Sequence, residues 1–134
     1  MYDNILIPVV FEGDHNHTKA LQIASLAGPN AKITFLHVIE QLPTYVISYV
    51  PEGASEDLRD ELQEHMNNLT SNLPNAEGKI ITGHSGRSIT DYADKNGVDL
   101  IVVQSHRPGF GDYFLGSTAG HIVRHAKCSV HVIR

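Results

Sequence analysis

The chain has 134 residues and a mass of 14.7 kDa, the size of one compact domain and too short for two substantial cores. With 41% hydrophobic and only 19% charged residues, it can bury roughly two-thirds of its unfolded surface, which argues against a disordered chain. Ten Lys plus Arg against fifteen Asp plus Glu give a net charge of −5, and without a basic stripe such a surface repels nucleic-acid backbones.

In chain order, residues 4–10 are apolar on both sides of the alternation, the pattern of a parallel strand covered by helices on two faces. Thr18–Ala27 places Ala20, Ile23, Ala24 and Ala27 at helical spacing. Gly28 and Pro29 then supply a left-handed residue and a breaker. Residues 32–39 are β-branched and aromatic enough for a second strand, reached by the short link of a βαβ unit. Residues 40–54 carry Pro43, Pro51 and Gly53 among Tyr45, Val46, Ile47, Tyr49 and Val50. They read as a long apolar loop, suited equally to covering a ligand or packing on a partner.

From residue 55 to 73, Leu58, Leu62, Met66, Leu69 and Leu73 share one helical face. The acidic run of Glu56, Asp57, Glu61 and Glu64 is read as a dipole-favoured, solvated face rather than as catalytic carboxylates. Residues 77–82 form a third strand. After Gly83-His84-Ser85-Gly86 a helix presents Ile89, Tyr92 and Ala93 before Asn96-Gly97 stops it. Residues 98–103 form a buried strand, Gly116-Ser117 opens a helix with Ala119, Ile122, Val123 and Ala126 inward, and Ser129–Ile133 is the last strand. Alternating β and α elements with short links predict a single α/β domain over residues 1–134, a Rossmann-like, doubly wound three-layer sandwich around a parallel sheet.

In open sheets of this class the ligand lies beyond the carboxyl ends of the strands, where the winding direction reverses. The fourth strand leads into a loop ending at Gly116, Ser117 and Thr118, where amides at a helix start lack intrahelical partners and favour an anion. Ser105 and Arg107 lie across the same crevice and offer a hydroxyl and a guanidinium to phosphate oxygens. A glycine-bearing turn before a helix is also ordinary βα punctuation, so both readings stand on the residues alone.

The opening Ile5-Leu6-Ile7-Pro8-Val9, Ser105-His106-Arg107-Pro108 after the fourth strand, Phe114-Leu115-Gly116-Ser117, and the ending Cys128-Ser129-Val130-His131-Val132-Ile133 together resemble the universal stress protein family. The match spans essentially the whole chain and is closest to members with a Ser-His-Arg-Pro loop. The resemblance implies a five-stranded parallel sheet of order 3-2-1-4-5, of the adenine nucleotide alpha hydrolase-like type. It also implies a homodimer through Ser129–Ile133 and, as in many members, bound ATP or another adenine nucleotide, with or without Mg2+. Carried over by position, Pro8, Val9 and Val10 surround adenine and ribose, and Val38 offers its backbone to the adenine edge. Val103, Gln104, Ser105, His106, Arg107, Gly116, Ser117 and Thr118 occupy the phosphate loop. Three departures from the family pattern stand out: Val10 replaces an aspartate, Gln104 and Arg107 replace two glycines, and the loop is one residue shorter. They leave a second reading, a nucleotide-free regulatory or interaction dimer of the same family.

Among single residues, His15 and His17, and His121 with His125, invite a metal, yet no His-Glu-x-x-His pattern is present and exposed histidines are the expectation. Cys128, the one cysteine, reads as a small packing residue. It cannot close an intramolecular disulfide, which suits a reducing, cytoplasmic location. His106 has no nucleophile or orienting carboxylate beside it, so no catalytic constellation is assigned and any ATP hydrolysis is expected to be slow and incidental. A response-regulator domain is excluded because Val10-Phe11 and Gly83-His84 stand where its acids belong. A flavodoxin is excluded because Phe11-Glu12-Gly13-Asp14 lacks a hydroxyl-rich phosphate loop. Neither an export signal nor an apolar stretch of about twenty residues is seen, so no membrane partner is expected.

Overall fold

Ile5, Leu6 and Ile7 are all but completely buried, as an apolar run must be when both faces of its strand are covered. They form the middle of β1 (Asn4–Pro8) in a computed structural model that describes residues 1–11, 17–105 and 115–134. Around it the chain runs α1 (Thr18–Ala27), β2 (Lys32–Glu40), α2 (Thr44–Ile47), α3 (Ala54–Thr70), β3 (Ala76–Gly83), α4 (Ser85–Lys95), β4 (Leu100–Gln104), α5 (Ser117–His125) and β5 (Ser129–Ile133). The five strands make one sheet of order β3-β2-β1-β4-β5, and every pairing is parallel.

Strand alternation divides the interior in two. Ile5, Ile7, Val9, Ile33, Phe35 and Val102 point to the side of Ala20 and Ala24 of α1 and Met66 of α3. Leu6, Leu36, Ile101 and Val103 point to the side of Ile89 and Ala93 of α4 and Ala119 and Ile122 of α5. The three layers are therefore α1 and α3, the sheet, and α4 and α5.

Several local expectations are corrected. Gly28 ends α1 at φ −150°, outside the left-handed region. A side chain is excluded there for another reason: a Cβ would lie 2.4 Å from the Tyr2 carbonyl oxygen. Gly97, by contrast, takes φ 67° after α4, a conformation that favours glycine. Residues 40–54 are not a plain loop. Pro43 starts the single turn α2 and Gly53, at φ 84°, starts α3, so two residues of the expected loop serve as helix openers. The apolar face of α3 is shorter than its sequence stripe: Leu62 and Met66 are buried, whereas Leu58 is exposed. Leu73 lies beyond the helix and packs on the α1/α3 side.

Candidate functional site

Because all strands are parallel, Pro8, Glu40, Gly83, Gln104 and Ile133 end at one edge of the sheet. The winding reverses between β1 and β4, and there the ladder stops short of the strand ends. Their paired register stops at Leu6↔Ile101, although β1 continues to Pro8 and β4 to Gln104. The chemistry of Pro8 accounts for this. Odd positions of β1 bond toward β2, as in Val9 N–H to the Leu36 carbonyl at 2.9 Å, while even positions face β4, as in Asp99 N–H to the Asn4 carbonyl at 2.9 Å. Pro8 is even, and it has no N–H to extend that ladder.

On the β2 side of the crevice, Val9 is 3% exposed and its side chain belongs to the α1/α3 core. Its carbonyl accepts a 2.9 Å bond from His37 Nδ1, which fixes the protonated nitrogen of that ring, since a carbonyl only accepts. Val10 turns outward, 40% exposed. The β1-facing ladder of β2 alternates through Lys32, Thr34 and Leu36, so the next backbone groups on that edge are those of Val38, beyond the end of β1. The Val38 side chain packs on the α4/α5 core.

On the β4 side, Val103 is buried in the α4/α5 core and Gln104 pairs with Ile133. Ser105 is 1% exposed. Its N–H donates to the Ile133 carbonyl at 2.9 Å, and its own carbonyl accepts the Gly116 N–H. One expectation changes as a result: the Gly116 amide is already occupied by the Ser105 carbonyl. The Gly116 carbonyl accepts from Gly120 N–H at 2.8 Å, so α5 begins there. Ser117 and Thr118 carry the amides without intrahelical acceptors that face the crevice edge. His106 and Arg107 lie outside the described residues, as does His15.

Some arrangements were not visible in the sequence. Phe11 gathers three imidazoles: His17 at 6.1 Å, His37 at 5.5 Å and His65, stacked at 19° and 5.5 Å between ring centres. The four residues come from three stretches of chain, the β1–α1 connection, β2 and α3, so no local pattern marks them. The Glu40 carboxylate reaches the start of α4, accepting from Ser85 N–H at 3.2 Å and from the Ser85 hydroxyl. His121 corrects the expectation of exposed histidines. It is half-buried between α4 and α5 with its ring 4.3 Å from that of His125, and a Cβ on Gly86 would lie 2.7 Å from its Cγ. Cys128 packs partly buried on the α4/α5 core, where burial pushes its thiol up. Among the described residues no group of three or more His, Cys, Asp or Glu is arranged to hold a metal ion, and no helix is long and apolar enough to cross a membrane.

The profile of the universal stress protein family matches residues 1–134. The chain belongs to the universal stress protein family. Universal stress protein A homolog 2 of Coxiella burnetii is 30% identical over 139 residues, covering 99% of this chain and 95% of the relative. Universal stress protein G of Escherichia coli O157:H7 is 27% identical over 142 residues, covering all of both chains. Among solved structures, the universal stress protein UspA from Lactobacillus plantarum is 26% identical with a TM-score of 0.73, covering 99% of this chain and 98% of that one. Two more distant structures share the fold of this universal stress protein and contain nucleotides. One, from Archaeoglobus fulgidus in complex with dAMP, has a TM-score of 0.65 at 16% identity, covering 99% of this chain and 98% of that one. The other, from Arabidopsis thaliana with AMP bound, has a TM-score of 0.63 at 20% identity, covering 98% of this chain and 90% of that one.

Proposed function

We propose that this universal stress protein binds an adenine nucleotide, ATP or AMP, in the crevice between the carboxyl ends of β1 and β4. The observation that carries the reading is the end of the β1–β4 ladder at Leu6↔Ile101, at the winding reversal and beside the amide-bearing start of α5, an adjacency suited to a base on one side and phosphate on the other. In this reading the base lies against the backbone of Pro8, Val9 and Val10, with its edge at Val38. The phosphates meet the amides of Ser117 and Thr118, with Val103, Gln104, Ser105 and Gly116 shaping the neck and His106 and Arg107 joining from the loop. The complexes of fold relatives with dAMP and AMP support an adenine nucleotide as the ligand class. Mg2+ accompanies a polyphosphate form only. No catalytic residue is assigned.

The same reading takes residues 1–134 as one cytoplasmic domain that dimerises through β5, an edge strand of the sheet that pairing with a second copy would cover. A second reading, a nucleotide-free regulatory dimer, is favoured by one specific observation: Val10, 40% exposed, presents an apolar surface where the family pattern has a carboxylate. Calorimetric titration with AMP, ADP and ATP at moderate salt separates the two. The nucleotide reading expects saturable 1:1 heat from at least one of the three, and flat traces with all three would leave the regulatory dimer.

A further inference from the structure

α4 and α5 lie side by side with the bare backbone of Gly86 against the ring of His121. Ser117, His121 and His125 are spaced four residues apart and form one line down α5, about 12 Å over two turns. The charged groups that bear on His121 are His125, His84, Arg87 and Arg124, and all four are basic. The nearby carboxylates offset part of this charge. Glu40 accepts from Ser85, a neutral partner that leaves its charge in place at the start of α4, whereas Asp94 is already paired with Lys127 at 3.2 Å. Asp91, one turn after Arg87, offsets a single charge. Arg124 lies back along α5: its Nε donates to the Gly120 carbonyl at 3.1 Å, and a Cβ on Gly120 would lie 3.3 Å from its terminal nitrogen Nη2. Five basic groups are thus gathered on two adjoining helices of a chain whose net charge is −5. The two guanidiniums, together with any imidazole that takes up a proton, repel one another until an anion lies among them.

We propose that the seam between α4 and α5 is a second anion site, one that takes a multiply charged phosphate chain. Arg87 and Arg124 each offer two parallel N–H donors to phosphate oxygens, and His84, His121 and His125 add imidazole N–H groups along the same line. A compact ligand suits the seam better than a protein does: a stable protein interface needs about 800 Å² per partner, whereas this donor set spans two helical turns. The same chemistry is met in a nucleoside triphosphate tail and in free polyphosphate.

The test is calorimetric titration of the intact protein with inorganic tripolyphosphate at low salt, for the wild type and for Arg87→Gln/Arg124→Gln. The site predicts 1:1 binding that weakens at least about ten-fold in the double variant and falls steeply with added salt. AMP affinity in that variant is expected to be unchanged: its loss there would mean that the two arginines serve the nucleotide crevice and would overturn a second site, whereas failure of the wild type to bind AMP counts against the nucleotide reading alone. ATP displacing tripolyphosphate from the seam, read from the His121 and His125 ring resonances, assigns the nucleotide tail as the source. Failure of ATP to displace it assigns free polyphosphate. Absence of tripolyphosphate binding, binding unaltered by the double variant, or equal affinity for an octaglutamate peptide each overturns the proposal.

Discussion

Leu6 and Ile101 are the last paired residues of β1 and β4, and the ladder ends there because Pro8 offers no N–H to that side. Restoring the donor should extend the ladder. In Pro8→Val the new amide at position 8 is expected to bond across to β4, becoming slow in hydrogen exchange, while AMP affinity drops about ten-fold or more as the crevice narrows. A slow amide at position 8 together with undiminished AMP affinity would show that the end of the ladder is not where the base sits.

Gly116 tests the other wall of the same crevice. Its φ of −55° and ψ of 157° are open to any residue, and its N–H bond to Ser105 survives substitution, so Gly116→Val keeps the start of α5. The branched side chain instead stands beside the Ser117 and Thr118 amides and crowds phosphate oxygens. The expected result is a loss of AMP affinity of at least about ten-fold with a melting temperature lowered by no more than about 5 °C. Calorimetry and a circular dichroism melt read the two effects separately, and unchanged affinity would remove the phosphate assignment.

What the sequence made legible follows the physics of each signal. The limits of α1 and β5 were readable because alanine spacing and β-branched runs act locally, and the strand order came with the family's Gly-Ser and Ser-His-Arg-Pro signatures. Pro8 was visible but read only as part of a motif; that it faces β4 depends on strand register, which pairs residues far apart in sequence. The Ser105 to Gly116 bond joins backbone groups and leaves no mark in side-chain identity. Phe11, His17, His37 and His65 converge only after the β1–α1 connection, β2 and α3 are assembled. The turn α2 was missed because Pro43 is a helix opener when followed by helical residues and a breaker when preceded by them, and composition does not distinguish the two.

Gly78 on β3 was not singled out in the sequence, yet a Cβ there would lie 1.9 Å from Cγ of Met66, which is itself fully buried. Gly78→Ala should therefore destabilise the protein by about 1–3 kcal/mol through overpacking, and Met66→Ala by about 2–5 kcal/mol through the cavity it leaves. In the double variant the alanine methyl occupies part of that cavity, so urea unfolding should give a total cost below the sum of the two by about 1 kcal/mol. Strict additivity would mean that the two residues do not share the space the structure gives them.

The half-buried His121 makes stability depend on pH with a definite sign. Partial burial first, and then the charges of His125, His84, Arg87 and Arg124, push its protonation below the ordinary value of 6.5. Between the folded and unfolded midpoints the unfolded chain holds more proton, so folding stability rises with pH. The contribution is complete above pH 6.5, the ordinary value, and is lost as pH falls through the lower folded midpoint. Urea unfolding at about pH 7.5 and 5.5, on either side of an ordinary imidazole midpoint, should show a smaller acid loss in His121→Gln than in the wild type. Arg87→Gln removes one of the opposing charges, so the His121 ring resonance should titrate at higher pH in that variant. A wild-type His121 midpoint at or above 6.5 would refute both the sign and the crowding of positive charge on this seam.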